Sequence, residues 1–294
     1  MKPSFLFRCA LALVALLFTA VAAQDPATKR PARRPLPEPA NPALPSLILI
    51  GDSTVRNGQD DGQGKGAEGQ WGWGNPIAAY FDPEKINIVN RAVGGLSSRT
   101  FLTGGHWERA LAFVKTGDVV IMQFGHNDGG AVNDATRARA SLKGVGDETE
   151  AIDNLLTKRP EVVHSYGWYL RKFIADTKAM GATPIVCSLI PRKMWDEAGK
   201  ISRNKDSYAD WAAAVAQAEV VGFIDLNEKI AARYDALGRD AVMKLFPQVT
   251  PDEHTHPNRS GAELNAEIVI AGLKALPANP LEKFFSAKAG NVAF

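Results

Sequence analysis

Four short clusters of small polar residues hold the side chains of this sequence that are able to do chemistry. Three of them, GDST at 51–54, GGLS at 94–97 and GHND at 125–128, each follow an apolar run. The fourth, DEHTHPNRSGAELNA at 252–266, opens with two carboxylates and two histidines. A serine, a histidine, a nearby acid and polar donors are the parts that an acyl-transfer centre requires.

Ser53 has two interpretations when its own cluster is taken alone. Residues 47–50 are apolar and predict a buried strand, and Gly51 with the polar residues after it predicts a sharp turn at the end of that strand. Because Asp, Ser and Thr are preferred helix N-caps, Ser53 is a candidate capping residue. Because ligands bind at the carboxyl edge of open α/β sheets, it is also a candidate nucleophile.

The elements that must position these clusters alternate along the chain. Apolar runs predict strands at 47–50, 86–93, 118–124, 183–190 and 220–225, and the intervening segments predict helices at 75–81, 107–115, 162–180, 207–218, 226–237 and 259–275. Continuous apolar strands separated by helices are typical of a parallel sheet that is covered on both faces. The sequence therefore predicts a three-layer α/β/α sandwich with a central parallel sheet of about five strands.

Residues 129–160 do not fit this alternation. The segment is polar, is interrupted by Gly and Asn, and directly follows the predicted strand at 118–124. Long excursions at a strand edge are usually functional loops or insertions, so we expect a loop that faces the substrate.

The first 46 residues differ from the rest of the chain. Lys2 and Arg8 precede an apolar run that ends at Ala23, which predicts a cleaved signal peptide over 1–23 and a secreted protein, periplasmic or extracellular. The run is too short to span a bilayer. Residues 24–46 are rich in proline and predict a linker, which leaves 47–294 as the folded domain.

Charge and cysteine content exclude some functions. The net charge of +2 comes from residues 1–46, so the domain has no basic surface to favour nucleic acid. Cys9 belongs to the predicted signal, and the other cysteine, Cys187, lies in a β-rich apolar run typical of a core residue. No internal disulfide is expected in the mature chain.

The order of the four clusters resembles the SGNH (GDSL-type) hydrolase superfamily. The stretches GDSTV, GHNDGG and HTH followed by GA are most similar to the rhamnogalacturonan acetylesterase family, and the resemblance extends over residues 47–275. It implies a flavodoxin-like SGNH hydrolase fold and a serine esterase.

The resemblance also implies roles for individual residues. Ser53 is expected to be the nucleophile and His256 its general base, since Gly261 and Ala262 follow His256 at the family's spacing. His254 is the rival histidine. The amides of Ser53 and Gly95 and the side chain of Asn127 are expected to form the oxyanion hole, where fixed donors stabilise the tetrahedral intermediate.

The acid of the expected triad departs from the family pattern. The family has an aspartate three residues before the histidine, where this chain has Glu253, preceded by Asp252. We expect Glu253 to orient His256, with Asp252 as the alternative. A metal site built from these carboxylates and histidines would leave Ser53 and Asn127 unexplained, so no metal or other cofactor is expected. His126 and Asp128 are expected to shape the loop beside the site.

The predicted function is the removal of O-acetyl groups from plant cell-wall polysaccharide, either rhamnogalacturonan or another pectic or hemicellulosic chain. Trp71 and Trp73 are candidates for stacking on sugar rings, although one of them is equally suited to the core. The alternatives are an esterase or lipase on small acyl esters and a non-catalytic carbohydrate-binding module. The expected partner is an acetylated polysaccharide or oligosaccharide, and the sequence leaves the oligomeric state open.

Overall fold

The computed structural model describes residues 35–58 and 60–292. The predicted signal peptide and the first part of the predicted linker lie outside these residues. The end of the linker is bound to the domain, because Arg91 donates to the carbonyls of Leu36 and Pro37 at 3.3 and 3.0 Å. None of the helices in the described part of the chain is long and apolar enough to cross a membrane.

Seven strands and eight α-helices make up the described chain. The strands are β1 (Ser46–Gly51), β2 (Asn87–Asn90), β3 (Val119–Gln123), β4 (Thr149–Asn154), β5 (Arg159–His164), β6 (Thr183–Cys187) and β7 (Gly222–Ile224). The helices are α1 (Ser98–Thr103), α2 (His106–Leu111), α3 (Tyr166–Ala179), α4 (Tyr208–Ala218), α5 (Leu226–Leu237), α6 (Arg239–Met243), α7 (Arg259–Lys274) and α8 (Ala287–Gly290). Three short 3₁₀ helices cover Gly66–Glu68, Pro76–Tyr80 and Glu282–Phe284.

The main sheet confirms the predicted architecture. Its five strands lie in the order β2-β1-β3-β6-β7 and all pair in parallel, which is the flavodoxin-like order. The register places Leu49, Ile121 and Ile185 side by side across the central strands. Residues on β1 and β3 are buried throughout, because helices cover both faces of the sheet.

The side chains of alternate strand residues pack into two separate hydrophobic cores, one on each face of the sheet. Leu47 and Leu49 of β1 point into a core that α5, α7 and the Pro76–Tyr80 turn complete. Ile48 and Ile50 point to the opposite face, where α1, α2, α3 and α4 pack. Cys187 is buried in the first core and burial raises the pKa of its thiol. The two cores fix the sheet edge from which the polar clusters project.

The segment after β3 differs from the expected loop. Strands β4 and β5 form an antiparallel hairpin within it, with Ala151 opposite Val162. The predicted helix at 162–180 accordingly begins only at Tyr166, where the Ser165 side chain caps it by accepting from the amide of Trp168 at 3.0 Å. The local signal for the hairpin was weak because most of β4 is exposed and lacks an apolar alternation.

Candidate active site

The turn after β1 holds Ser53 at the carboxyl edge of the sheet. Oδ1 of Asp52 accepts from the amide of Thr54 at 2.8 Å and from its hydroxyl at 2.7 Å, which closes a tight Asx turn around Ser53. A Cβ at Gly51 would lie 2.5 Å from the carbonyl oxygen of Gln123, so this position has no room for a side chain. Ser53 is 8% exposed, at the bottom of a site rather than on an open surface.

His256 lies beside Ser53 although 203 positions separate them in the sequence. The Ser53 hydroxyl is 2.7 Å from Nε2 of His256. The other ring nitrogen, Nδ1, is 3.2 Å from Oε2 of Glu253. The angle of this second contact is outside hydrogen-bonding geometry, and such contacts are often loose before substrate binds. The three side chains thus form a continuous chain from hydroxyl to imidazole to carboxylate.

Hydrogen bonds within its own loop fix Glu253. Its Oε1 accepts from the amides of Thr255 at 2.8 Å and His256 at 2.9 Å. Burial acts to raise the pKa of Glu253, but the His256 side chain and amide, together with the Thr255 amide, outweigh burial and lower this pKa to about 2. The carboxylate is therefore ionised at neutral pH and able to stabilise an imidazolium.

Gln70 supports this carboxylate and was missed in the sequence. Its Nε2 donates to Oε2 of Glu253, and its own Oε1 accepts from Asn57 at 3.1 Å. The amide of Trp71 next to it donates to the carbonyl of Pro257 at 2.9 Å, which pins the two loops together. No local motif marks Gln70, because its partner lies 183 positions away.

Asp252 and His254 have other contacts. Asp252 is exposed, and its backbone carbonyl lies 3.0 Å from Nδ1 of His254. The carbonyl of His254 accepts from the amide of Lys193 at 2.7 Å. Within the described residues, neither side chain forms a hydrogen bond or ion pair with Ser53 or His256. The geometry therefore favours His256 over His254 and Glu253 over Asp252.

The second and third clusters meet next to Ser53. A Cβ at Gly94 would lie 3.3 Å from that of Ser53, so the GGLS loop passes close to the hydroxyl. Gly95 has a φ of +84°, which favours glycine there, and the space around its Cα is open. Nδ2 of Asn127 donates to the carbonyl of Leu96 at 2.9 Å and retains a second hydrogen for an oxyanion.

Arg139, from the segment after β3, reaches this loop and was also missed. Its guanidinium donates to the carbonyl of Gly95 at 2.7 Å, and its own carbonyl accepts from the hydroxyl of Ser97 at 2.5 Å. The segment that the sequence assigned to a substrate-facing loop therefore braces the backbone of the candidate oxyanion hole.

Two buried titratable groups underlie the site. Burial raises the pKa of Asp128 to about 7, and the charge of Asp52 raises it further. The hydrogen bonds from the amide and hydroxyl of Ser98 lower this pKa but do not outweigh burial. Burial also lowers the pKa of His126 to about 4. The imidazole of His126 is therefore neutral near pH 7, and Asp128 is close to half-protonated.

Trp73 lies in the hydrophobic core, whereas Trp71 lies beside the loop that carries His256. Trp73 is 0% exposed and donates from Nε1 to Oε1 of Gln123 at 2.7 Å, so it is a core residue with no surface for a sugar. This corrects the candidate role of Trp73 in substrate binding. Trp71 is 8% exposed, donates to the carbonyl of Gly66 at 2.8 Å and lies under the guanidinium of Arg259.

Among residues 35–58 and 60–292, no group of three or more His, Cys, Asp and Glu side chains is arranged to hold a metal ion. The nitrogens of His256 face Ser53 and Glu253 instead.

Comparison with known sequences adds independent information. The model of the GDSL-like lipase/acylhydrolase family matches residues 49–264. A rhamnogalacturonan acetylesterase of Emericella nidulans is 31% identical over 226 residues, which cover 76% of this chain and 83% of the relative. The rhamnogalacturonan acetylesterase RhgT of Bacillus subtilis is 26% identical over 243 residues, 78% of this chain and 90% of the relative.

Comparison with solved structures supports the fold. The crystal structure of protein YxiM from Bacillus subtilis superimposes with a TM-score of 0.61 at 24% sequence identity. The match covers 79% of this chain and 56% of that one, so this chain spans little more than half of YxiM.

Proposed function

Because the chain belongs to the GDSL-like lipase/acylhydrolase family and is a carboxylic ester hydrolase, we propose that it removes O-acetyl groups from plant cell-wall polysaccharide through Ser53. The observation that carries this proposal is the 2.7 Å contact between the Ser53 hydroxyl and Nε2 of His256, with Glu253 behind the imidazole. A serine hydroxyl becomes a useful nucleophile when such a base accepts its proton.

The proposed mechanism has two steps. In the first, Oγ of Ser53 attacks the acetyl carbonyl while Nε2 of His256 takes the hydroxyl proton, and the imidazolium then protonates the departing sugar oxygen. In the second, a water that His256 deprotonates attacks the acetyl-enzyme, and acetate leaves as Ser53 regains its proton. Glu253 stays ionised throughout and stabilises the imidazolium.

The oxyanion hole completes the proposed chemistry. The amides of Ser53 and Gly95 and Nδ2 of Asn127 bind the negative oxygen of both tetrahedral intermediates. The bond from Asn127 to the Leu96 carbonyl and the bond from Arg139 to the Gly95 carbonyl hold these donors before substrate arrives. Such preorganisation lowers the barrier because no group must reorient as charge develops.

The proposed substrate follows from the relatives and the walls of the site. Two relatives that align over most of their length are named rhamnogalacturonan acetylesterases. The neighbouring cleft contains Arg192, Ser202 and Asn204 beside apolar side chains, and this mixed lining suits a sugar chain. A non-catalytic binding module would have no use for a serine, histidine and carboxylate in contact.

Replacement of Ser53 tests the proposal. Ser53→Ala should reduce acetate release from acetylated pectic oligosaccharide and turnover of p-nitrophenyl acetate by about 10⁴-fold or more. The melting temperature should change by only a few degrees. Ser260→Ala, which alters an exposed serine on α7, is the matched control and should retain wild-type activity. Comparable activity in Ser53→Ala would refute the nucleophile assignment.

We also propose that residues 1–23 direct secretion. The charged start and short apolar run that ends at Ala23 support this proposal. Amino-terminal sequencing of protein recovered outside the cytoplasm should begin at Gln24. Protein that stays cytoplasmic and begins at Met1 would contradict it.

A further inference from the structure

A cleft of about 390 Å³ opens at the carboxyl edges of β3 and β6. One wall follows β3 and includes Gly125 and His126, and the opposite wall follows β6 and includes Leu189 and Arg192. Asn204 and Tyr208 also line the cleft. Its size and its mixture of polar and apolar walls are typical of a small-ligand site.

The cleft adjoins the candidate catalytic centre through two connections. His126 directly precedes Asn127, a candidate oxyanion donor. On the other wall, the amide of Lys193 donates to the carbonyl of His254 at 2.7 Å, within the loop that carries Glu253 and His256. A chain that presents an acetyl group to Ser53 would therefore have a neighbouring sugar within reach of the cleft.

Arg192 is the unusual residue of the cleft. It is exposed and makes no ion pair or side-chain hydrogen bond with any residue in the described parts of the chain. Arg203, which also lines the cleft, is instead neutralised by Glu228 at 3.1 Å and Asp235 at 2.6 Å. A guanidinium without a carboxylate partner, held at a concave site, matches the planar geometry of a ligand carboxylate.

His126 is the second titratable residue of the cleft. Its imidazole interacts with the backbone of Ile190, another lining residue, and with the charge of Arg192. Because burial holds the pKa near 4, the ring is neutral at pH 7 and able both to donate and to accept.

The remaining walls suit a sugar ring. Leu189 and the exposed Met194 offer apolar surface to the C–H face of a pyranose, and Tyr208 adds an aromatic edge. Asn204 adds a polar side chain to the lining. The cleft thus combines a cation, a neutral imidazole and apolar side chains.

We infer that this cleft binds a uronate sugar of the acetylated chain and that Arg192 binds its carboxylate, which makes Arg192 a specificity-determining residue. The inference rests on the proposed function and deepens it. Acetyl esters on uronate-bearing chains should then be preferred over acetyl esters on neutral chains, because only a uronate satisfies Arg192.

The test compares Arg192→Gln with wild type on three substrates. These are an acetylated oligosaccharide with free galacturonate carboxylates, the same oligosaccharide with its carboxylates methyl-esterified, and p-nitrophenyl acetate. We expect the variant to raise KM for the free carboxylate substrate by roughly 10-fold or more, with kcat nearly unchanged. KM for the esterified oligosaccharide and turnover of p-nitrophenyl acetate should match wild type.

Arg159→Gln, which alters an exposed arginine on the β4–β5 hairpin, is the matched control and should change none of these values. An unchanged KM of Arg192→Gln on the free carboxylate substrate would overturn the inference and leave the proposed function standing. An equal rise in KM on the esterified oligosaccharide would do the same. A wild-type enzyme that hydrolyses p-nitrophenyl acetate but releases no acetate from either oligosaccharide would overturn the proposed substrate and this inference together.

Discussion

The loop at 251–257 and the turn at 125–128 hold two carboxyl groups in opposite states at the same edge of the sheet. In both cases burial acts to raise the pKa of the carboxyl group. The pKa of Glu253 nevertheless falls to about 2, whereas that of Asp128 rises to about 7. The two groups differ in what surrounds them rather than in their intrinsic acidity.

The depth of burial and the sign of the neighbouring charge decide the difference. Glu253 accepts from two backbone amides and from Gln70, and it lies next to a histidine. Asp128 is fully buried, accepts at Oδ1 from the amide and hydroxyl of Ser98 and faces the like charge of Asp52. A loop that must stabilise a cation therefore keeps an ionised acid, and a turn that must present Asn127 is built around an acid that is close to half-protonated near pH 7.

Of the variants that test this comparison, Glu253→Gln should lower the activity most. An amide cannot stabilise the His256 imidazolium and favours the wrong tautomer, so kcat should fall by about 10³- to 10⁴-fold while the fold persists. Asp252→Asn, one position away and exposed, should change kcat by less than about 2-fold. Steady-state kinetics on p-nitrophenyl acetate measure both variants.

The reverse ranking of these two variants would transfer the role to Asp252. Two mild effects would show that a backbone carbonyl or a water orients the imidazole, and the 3.2 Å contact of Glu253 would then be structural only.

Asn127→Ala tests the catalytic part of the turn. Loss of one oxyanion donor should lower kcat by about 10²- to 10³-fold with little change in KM, because the donor acts mainly in the transition state. The bond to the Leu96 carbonyl is lost as well. Asn133→Ala, which removes another side-chain amide from the segment after β3, is the control. A change confined to KM would indicate ground-state binding instead.

Asp128→Asn should have the smallest effect on activity, because an amide resembles the protonated acid. Its effect on stability should depend on pH. The native pKa of about 7 lies above the ordinary 3.8, so ionisation of Asp128 costs wild-type stability as pH rises from about 4 to about 7. The free energy of unfolding of Asp128→Asn relative to wild type should therefore increase over that interval and level off above it.

The stability of Glu253→Gln relative to wild type should depend on pH in the opposite direction. The native pKa of about 2 lies below the ordinary 4.5, so this carboxylate adds stability above about pH 4.5 that is lost as pH falls toward 2. The free energy of unfolding of Glu253→Gln should therefore be lower than that of wild type at neutral pH, and this difference should shrink as the pH falls. Urea denaturation at several pH values measures both dependences, and parallel curves for the two variants would contradict the comparison.

Much of the fold was predictable because its signals are local. The five apolar runs predicted all five strands of the main sheet, and the helices at 208–218, 226–237 and 259–274 lie within a residue of their predicted limits. The β4–β5 hairpin was missed because its exposed strands carry little hydrophobic pattern. Trp71 and Trp73 look alike in sequence, and only the packing of Trp73 against β1 and β3 separates them.

The sequence by itself determined the layer order, the sheet edge and the residue types at the four clusters, since strand runs and cluster spacing are properties of neighbouring residues. The tertiary structure decided which carboxylate faces His256, that Gln70 and Arg139 brace the site, and that Arg192 has no acidic partner in the described chain. Glu253 and His256 are only three positions apart, but the conformation of their loop decides that this carboxylate, and not its neighbour, faces the imidazole. The bonds of Arg139 and Gln70 join residues 44 and 183 positions apart. Such long-range bonds arise only when separate elements pack, and no local pattern encodes them.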